Sequence, residues 1–340
     1  MRARRLSDAF GIDRLELQER LDPELGPGDV RVRVRAVSLN HRDVLEVEHG
    51  IAPRGVRLPL QPCSDAAGEV VEIGAGVSRV QVGDRVVSIF FQRWLDGSVP
   101  PPAALGSVLA GGLDGVLADE VVLHEDGLVH SPEHLSDEEA STLGCAAVTA
   151  WHALFAYART QPGETILVQG TGGVAIFALQ FGLLAGARVT ATSSSDTKLE
   201  RARSLGAWKT INYVATPDWA DRALELTGGV GVDHVIEVGG SWTTDQSIKA
   251  TRRGGTVSLI GVLTGLEGRV DPHPISVKGL RVQGIVVGSR AMYEDMNRAI
   301  ALSGLKPVID RVFPFEDARE AFRYLEAAGH VGKVVISPDG

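Results

Sequence analysis

Two different patterns of hydrophobic positions divide the chain. In the first third, residues 30–37 alternate apolar and basic side chains, and the short apolar segments 69–74 and 80–87 are separated by Gly and Asp. Alternation is typical of strands with one solvent-facing side, and closely spaced Gly and Asp turns are typical of a small barrel. Near residue 137 the pattern changes, because three acidic residues open a helix there, as the helix dipole favours.

From residue 162 onward, predicted strands and helices alternate. The predicted strands are 165–169, 188–192, 210–212, 234–238, 256–260 and 281–287, and the predicted helices between them are 173–185, 196–205 and 219–226. The strands are apolar throughout, which is expected when helices cover both faces of a parallel sheet. The tail from residue 292 holds two helical stretches and a short strand at 333–336. We therefore predict an α/β protein in which a barrel accompanies a doubly wound parallel sheet.

Composition and charge narrow the possible partners. A chain of 340 residues exceeds what one hydrophobic core usually serves, so two domains are expected. The net charge of −9 would repel phosphate backbones and anionic lipid, so we expect neither nucleic acid nor a membrane as partner. Two cysteines, Cys63 and Cys145, suit a reducing cytoplasm, and the N-terminus lacks the apolar stretch of a secretory signal. The expected location is the cytoplasm.

The most informative motif is a glycine-rich turn that begins at Gly170. It directly follows an apolar strand and opens an apolar helix, which is the context that the dinucleotide fingerprint G-x-G-x-x-G/A requires. Gly170 permits the tight turn, Gly172 lets a pyrophosphate approach the backbone, and Ala175 takes the helix-packing position. The phosphates would lie at the N-terminus of the helix, where unpaired N–H groups attract anions. This motif predicts a Rossmann domain.

Several further segments give the chain its resemblance to a known superfamily. They are 26–30, 37–40, 66–70, 82–86 and 254–255, together with the Gly170 turn. With them the chain resembles the medium-chain dehydrogenase/reductase superfamily over essentially its whole length. The resemblance implies a GroES-like catalytic domain from residues 1–146 and 290–340, and a Rossmann domain from residues 147–289. It also implies a homodimer, because family dimers join their sheets at the strands that correspond to 256–260 and 281–287.

The zinc ligands of the superfamily's alcohol dehydrogenases are mostly replaced in this chain. Those enzymes bind catalytic zinc with a Cys, a Gly-His-Glu segment and a second Cys; here Asn40, the segment 63–65 (Cys-Ser-Asp) and Cys145 stand at these positions. Because catalytic zinc needs three protein ligands, we expect no metal. An alternative is that Cys63, Asp65 and Cys145 form a new metal site. The four-cysteine structural zinc loop is missing as well.

Without zinc, hydride transfer is easier to a conjugated acceptor, whose negative charge is delocalised onto an oxygen. Asn40 and Asp43 resemble the Asn-x-x-Asp segment of the zinc-less, quinone oxidoreductase-like branch and are the candidate catalytic residues. A Tyr often found two residues after that Asp is Leu45 here, so the proton donor stays open. We predict reduction of a quinone or an α,β-unsaturated carbonyl. The alternatives are a zinc-independent alcohol dehydrogenase or aldehyde reductase, and a nucleotide-binding protein with little turnover.

The second strand of the predicted Rossmann domain favours NADPH over NADH. NAD enzymes of this fold place an acid about 20 residues past the glycines, where it repels a 2′-phosphate. Ser193 stands at that position, followed by two more serines, and Lys198 and Tyr213 could also meet the phosphate. An alternative is that the serines only cap the helix that begins at Asp196.

The complete set of predicted cofactor residues combines the Gly turn, the second strand and positions implied by the resemblance. It comprises Asn40, Thr149, Gly170, Thr171, Gly172, Gly173, Val174, Ser193, Ser194, Lys198, Tyr213, Val238, Gly239, Gly261, Val262 and Arg290. Structural alternatives exist for three of them: Asn40 could cap a helix that starts at His41, Thr149 could be an ordinary helix residue, and Arg290 could form a loop salt bridge. The irregular segment 92–118 is expected to shape the substrate pocket.

Overall fold

The two ends of the chain fold together into one unit, and the middle of the chain forms a second. The structure is a computed structural model that describes residues 1–52, 55–265 and 267–338. The first unit comprises Met1–Val148 and Gly288–Gly340, and the second comprises Thr149–Val287. The sequence analysis placed its two boundaries between residues 146 and 147 and between residues 289 and 290, each two residues away.

Short strands make up much of both units. In chain order they are β1 (Arg2–Arg5), β2 (Glu16–Glu19), β3 (Asp29–Leu39), β4 (Asp65–Ile73), β5 (Arg85–Ser88), β6 (Glu120–His124), β7 (Leu128–His130), β8 (Thr165–Gln169), β9 (Arg188–Ser193), β10 (Lys209–Asn212), β11 (Val232–Glu237), β12 (Thr251–Leu259), β13 (Arg281–Gly284), β14 (Ile309–Pro314) and β15 (Lys333–Ser337).

The helices differ more in length. They are α1 (His41–His49), α2 (Asp137–Ser141), α3 (Val148–Trp151), α4 (Gly173–Leu184), α5 (Asp196–Ser204), α6 (Trp219–Leu226), α7 (Ser241–Ala250), α8 (His273–Lys278), α9 (Arg290–Ser303) and α10 (Ala318–Glu326). π-Helical turns at Leu143–Ala147 and His152–Tyr157 flank α3. None of the helices in the described residues is long and apolar enough to cross a membrane.

The sheet of the first unit depends on both ends of the chain. Its strand order is β14-β15-β3-β4-β5-β7, with β6 also paired to β3. The long strand β3 supplies the alternation seen in the sequence: Val30, Val32 and Val34 point into the core, while Arg33 between them is exposed. The C-terminal strand β15 pairs antiparallel with the end of β3, where Val334 lies opposite Leu39. This pairing brings residue 333 to the start of α1.

The irregular segment 92–118 packs into the first unit along much of its length. Trp94, Leu109 and Leu117 are completely buried, and the Trp94 indole Nε1–H donates to Gly97 O over 3.2 Å. Backbone N–H groups of Arg290 and Ala291 donate to Trp94 O and Leu95 O, which attaches the segment to the start of α9. The segment has little regular structure because its hydrogen bonds go to neighbouring turns, but its apolar side chains still form core.

The second unit is a six-stranded parallel sheet of order β10-β9-β8-β11-β12-β13. The chain runs from β8 outward to β9 and β10 and then returns to β11 on the other side of β8. In such sheets ligands bind at the carboxyl ends of the strands where this reversal occurs. The helix α7 was not predicted, because its sequence SWTTDQSIKA contains several residues with low helix propensity.

Candidate functional site

The start of α1 holds the two predicted catalytic residues. Asn40 is the N-cap of this helix, in extended conformation, and its backbone N–H donates to Asp43 Oδ2 over 2.7 Å. Asp43 is completely buried, and Asn40 is 9% exposed. Asn40 therefore occupies the helix-capping position that was one alternative for it. Its amide group makes a separate set of contacts.

The Asn40 amide is held between a carboxylate and an ammonium group. Its Nδ2 donates to Asp65 Oδ2 over 3.0 Å, and its Oδ1 accepts from Lys333 Nζ over 2.6 Å. Lys333 Nζ also donates to Leu39 O over 2.5 Å, and Ser64 Oγ donates to Asp65 Oδ1 over 2.6 Å. All of these side chains are buried. Buried charges are stable only when they are paired and hydrogen-bonded, and this network meets that requirement.

The two cysteines lie beside this network as neutral thiols. Burial raises the pKa of both Cys63 and Cys145, and the nearby Asp65 raises both pKa values further. Cys63 has a φ of 70°, a left-handed conformation that is uncommon for a residue other than glycine. A Cβ placed on Gly144, next to Cys145, would lie 3.2 Å from Asp65 Cγ, so the turn that carries Cys145 packs closely on this carboxylate.

The acidic residues around Asn40 have perturbed pKa values. Burial raises the pKa of Asp43 to about 6 and that of Glu46 to about 8, against the opposing effect of Arg42. Burial also raises the pKa of Asp65 and lowers that of Lys333, and each of these two charges opposes the shift of the other. Asp43 Oδ1 and Glu46 Oε2 accept no hydrogen bond from the part of the chain that the structure describes. With a pKa of about 8, Glu46 is mostly protonated near neutral pH, and its Oε1 then accepts from Arg42 as part of a neutral acid.

Arg42 and Arg290 both have protein partners within the first unit. The Arg42 guanidinium pairs with Glu46, donates to Leu109 O over 3.1 Å and lies 4.6 Å from the centre of the Phe90 ring. Arg290 Nη1 lies 2.7 Å from Asp126 Oδ1, so the loop salt bridge that was one alternative for this residue is present. A contact of Arg290 with the cofactor stays a prediction.

Two large aromatic residues pack against other side chains of their own units. Trp94 is completely buried in the first unit. Trp151 packs against Phe155 and Phe181 in the second unit, with ring centres 4.3 and 5.5 Å apart. Thr149 is 3% exposed and begins the second unit.

In the second unit, the Gly170 turn has the shape that a pyrophosphate needs. Gly170 has a φ of 74°, and Gly172 is the N-cap of α4. A Cβ added at either glycine would meet no described atom within 4 Å, so space is open beside the turn. Ala175 is buried at the helix-packing position. These residues fit a dinucleotide at the N-terminus of α4.

Three turns that carry predicted cofactor residues meet at the carboxyl end of the sheet. Gln169 Oε1 accepts from the backbone N–H groups of Val238 and Gly239, each over 3.1 Å, which connects the turns after β8 and β11. A Cβ on Gly261 would lie 2.2 Å from Val238 O, so only glycine allows the turn after β12 to approach this closely.

A buried carboxylate, Glu237, organises this junction. It ends β11 and accepts from Gln169 Nε2 over 2.6 Å, from Gly239 N over 2.7 Å and from Thr243 Oγ1 over 2.6 Å. The carboxylate thus binds the backbone of the turn that leads into α7, including its N-cap Gly240.

The serines after β9 have structural contacts. Ser193 is buried and its Oγ accepts from Ser195 N over 3.3 Å; Ser195 is the N-cap of α5. Of the three serines, Ser195 caps helix α5, which was the structural alternative to phosphate binding. Ser194 is exposed. Tyr213 is 42% exposed, and its backbone N–H donates to Ser193 O over 3.1 Å. The predicted 2′-phosphate residues Ser193 and Tyr213 thus lie side by side.

Comparison with known proteins identifies the family. The alcohol dehydrogenase GroES-like domain matches residues 26–133, and the zinc-binding dehydrogenase domain matches residues 173–302. A zinc-type alcohol dehydrogenase-like protein of Schizosaccharomyces pombe is 46% identical over 338 residues, which are 97% of this chain and 96% of that protein. The chain belongs to the medium-chain dehydrogenase/reductase superfamily.

Other relatives agree with this assignment. A solved structure of an NAD-dependent alcohol dehydrogenase is 34% identical, has a TM-score of 0.89 and covers 99% of both chains. A quinone oxidoreductase of Pseudomonas aeruginosa is 31% identical over 96% of this chain and 97% of its own. As a medium-chain dehydrogenase/reductase, the protein is an NAD(P)-dependent oxidoreductase with a GroES-like domain and a Rossmann domain. The predicted fold class and enzyme class are confirmed.

The residues of this medium-chain dehydrogenase/reductase do not fit a catalytic zinc. Within residues 1–52, 55–265 and 267–338, no group of three or more His, Cys, Asp or Glu side chains is placed to hold a metal ion. Cys63, Asp65 and Cys145, the alternative metal site, do not form such a group among these residues. The Lys333 ammonium is bonded to Asn40, and a divalent cation there would meet an existing positive charge.

Lys333, Glu46 and Glu237 were not predicted from the sequence. Each is a charged residue in an otherwise apolar or mixed segment. This charge is the only feature of the local sequence that could have indicated a role for the residue. Lys333 opens the apolar strand β15, and Glu237 ends the apolar strand β11. A charged residue at the end of a buried strand could have been recognised as a candidate, but its partners depend on pairing between distant segments.

The protonation of Glu46 should make stability depend on pH. Its pKa is about 8 in the folded protein and near 4.5 in the unfolded chain. Between these values the folded state keeps a proton that the unfolded state has lost, so the free energy of unfolding falls as pH rises. Glu46→Gln has no proton to lose; we expect its free energy of unfolding, relative to wild type, to increase by at least about 1 kcal/mol from about pH 5 to about pH 8.

Urea denaturation at several pH values measures this difference. Glu133→Gln, at an exposed position, is the control, and its difference from wild type should stay constant. A Glu46→Gln difference that is constant or decreases with pH would contradict the assignment of a protonated Glu46.

Proposed function

We propose that the chain is a zinc-independent, NADPH-dependent oxidoreductase that reduces a quinone or an α,β-unsaturated carbonyl. The observation that carries this proposal is the contact network of Asn40. Asn40, Ser64 and Cys145 stand where the superfamily's alcohol dehydrogenases carry their catalytic zinc ligands. Asn40 and Ser64 are bonded to Asp65, and Asn40 is also bonded to Lys333. An acceptor whose charge is delocalised needs only hydrogen-bond donors at its oxygen, and an amide N–H is such a donor.

The chain's own groups would bind the cofactor and orient the acceptor. NADPH, when bound, supplies a hydride, and with one proton from solvent the acceptor is reduced while NADP⁺ remains. The Gly170 turn and the N-terminus of α4 bind the pyrophosphate. Val238 and Gly261 position the nicotinamide end, since Gln169 and Glu237 hold their turns together. Asn40 donates a hydrogen bond to the acceptor oxygen.

Reduction of saturated aldehydes, or oxidation of alcohols, is the second candidate function. It is favoured by the names of the relatives, because the more similar ones are alcohol dehydrogenases or alcohol dehydrogenase-like proteins. The quinone oxidoreductase relative is less similar, at 31% identity. A localised alkoxide requires stronger stabilisation than an enolate, and the described residues of the first unit offer no metal ligand set for it.

A panel of acceptors tests the function directly. We expect NADPH oxidation at 340 nm with quinones and enones to have a kcat/KM at least about tenfold higher than with saturated aldehydes, because their charge is delocalised. Purified protein should contain well under one zinc per chain, and a chelator should leave the rate unchanged. Stoichiometric zinc that is lost together with activity would overturn zinc independence. A preference for saturated aldehydes would support the second candidate function instead, and nucleotide binding without any turnover would indicate a binding protein.

The NADPH preference rests on Ser193 and its neighbours. No carboxylate stands at Ser193, the end of β9, and the exposed Tyr213 lies next to it. One solved relative is named an NAD-dependent alcohol dehydrogenase, which argues against a preference for NADPH. We expect NADPH to bind at least about tenfold tighter than NADH, as one charged contact contributes about 1.5–3 kcal/mol.

Ser193→Asp should reduce or reverse this preference, because its carboxylate would repel the 2′-phosphate. Thr197→Asp adds the same charge at an exposed position of α5 and is the matched control. Calorimetry with both nucleotides measures the ratio of dissociation constants. If unmodified protein binds NADH as tightly as NADPH, or if both variants shift the ratio equally, the assignment of Ser193 is wrong.

We also propose a homodimer joined through β13. This strand is an edge of the six-stranded sheet, and Val262, Leu263, Val277 and Val286 nearby are all more than one-third exposed. An open apolar edge favours association. Light scattering at micromolar concentration should give twice the 36.1 kDa mass of one chain, and Val286→Asp should lower it. A monomeric mass for the unmodified protein would refute the dimer.

A further inference from the structure

The buried ammonium of Lys333 is a charged group in the first unit that the proposed function leaves without a role. Lys333 is 3% exposed, and its Nζ donates to Leu39 O and Asn40 Oδ1 over 2.5 and 2.6 Å. Burying an ammonium costs several kcal/mol unless its environment compensates, and an apolar residue would start strand β15 equally well. The position therefore calls for a functional explanation.

The chemistry of its partners fixes the orientation of the Asn40 amide. A lysine ammonium has only donors, and an ionised carboxylate has only acceptors. Asn40 must therefore turn its Oδ1 toward Lys333 and its Nδ2 toward Asp65, as observed. One Nδ2–H is used by Asp65, which leaves the second Nδ2–H as the donor that the amide can offer to another molecule.

The ammonium also places positive charge among the positions that resemble zinc-ligand positions. Lys333 bonds to Asn40, and its charge acts on the thiol of Cys145 and on the carboxylate of Asp65 next to Ser64. Through Asn40 Oδ1, this charge withdraws electrons from the amide and makes its remaining N–H a stronger donor.

We propose that Lys333 is a positioning residue for the reduction: it holds and polarises the Asn40 amide so that the free Nδ2–H donates to the acceptor oxygen as negative charge develops there. This inference rests on the proposed role of Asn40 at the acceptor oxygen. It applies equally to an enone, a quinone or an aldehyde, since all three gain negative charge on oxygen when they accept a hydride.

A double-mutant cycle between Asn40 and Lys333 tests the proposal. We expect Lys333→Met and Asn40→Ala each to lower kcat about 100-fold, the typical loss of one donor to an oxyanion. Because Lys333 acts through Asn40, the double variant should be no slower than Asn40→Ala alone. NADPH affinity should stay within about twofold of wild type in Lys333→Met, since Lys333 is not among the predicted cofactor residues and the Gly170 turn lies in the other unit.

Two further variants separate this role from a purely structural one. Lys333→Gln keeps a donor for Asn40 Oδ1 without the charge and should recover part of the rate. Lys278→Met is the matched control, because Lys278 Nζ also donates to backbone carbonyls, namely those of Ile248, Lys249 and Thr251. It should lower stability and leave kcat unchanged. If Lys333→Met does not fold, the cycle is measured in an Asp65→Asn background, which removes the unpaired carboxylate.

The outcomes distinguish this inference from the proposed function. Independent, multiplicative losses in the double variant, or an unchanged kcat in Lys333→Met, would overturn the role of Lys333 whatever the substrate. A wild-type preference for saturated aldehydes would overturn the proposed substrate class, and the cycle would then be measured with the aldehyde. Absence of turnover with every quinone, enone and aldehyde would overturn both.

Discussion

The bond between the Lys333 ammonium and the Asn40 amide is the interaction on which the buried polar network at the start of α1 depends. A buried positive charge restricts its neighbours, because each must either accept its hydrogen bonds or balance its charge. Asp65 balances the charge, Ser64 donates to Asp65, and Asn40 connects the carboxylate to the ammonium. Replacing any single member by an apolar residue would leave a buried polar partner without its hydrogen bond.

The network also explains why both ends of the chain belong to one unit. Asn40 follows β3, Asp65 begins β4, and Lys333 begins β15, near the C-terminus. β3 is the strand between the other two, so its end comes close to both neighbours. Antiparallel pairing places β15 opposite the end of β3, with Val334 opposite Leu39 and Ile336 opposite Val37. A shift by one residue would turn the Lys333 side chain to the opposite face of the sheet.

In the second unit, two helix N-termini differ in how well they could bind an anion. The N-terminus of α4 is open beside Gly170 and Gly172, whereas the turn that leads into α7 is bound by the Glu237 carboxylate. Both helices follow neighbouring parallel strands, so two similar N-termini lie at the same edge of the sheet. Because the Glu237 carboxylate lies beside α7, the N-terminus of α4 is the better site for an anion.

Local sequence patterns were sufficient for the elements and for the Gly170 turn, because the period of apolar positions and the need for glycine are properties of adjacent residues. The strand Thr165–Gln169 and the helix Trp219–Leu226 were predicted with their observed bounds. Asn40 and Asp43 were recognised as candidates from their spacing. Their environment could not be predicted, since Lys333 is 293 residues from Asn40 in sequence. Only the tertiary structure decides which buried charges meet, because their pairing depends on strand order and register rather than on neighbouring residues.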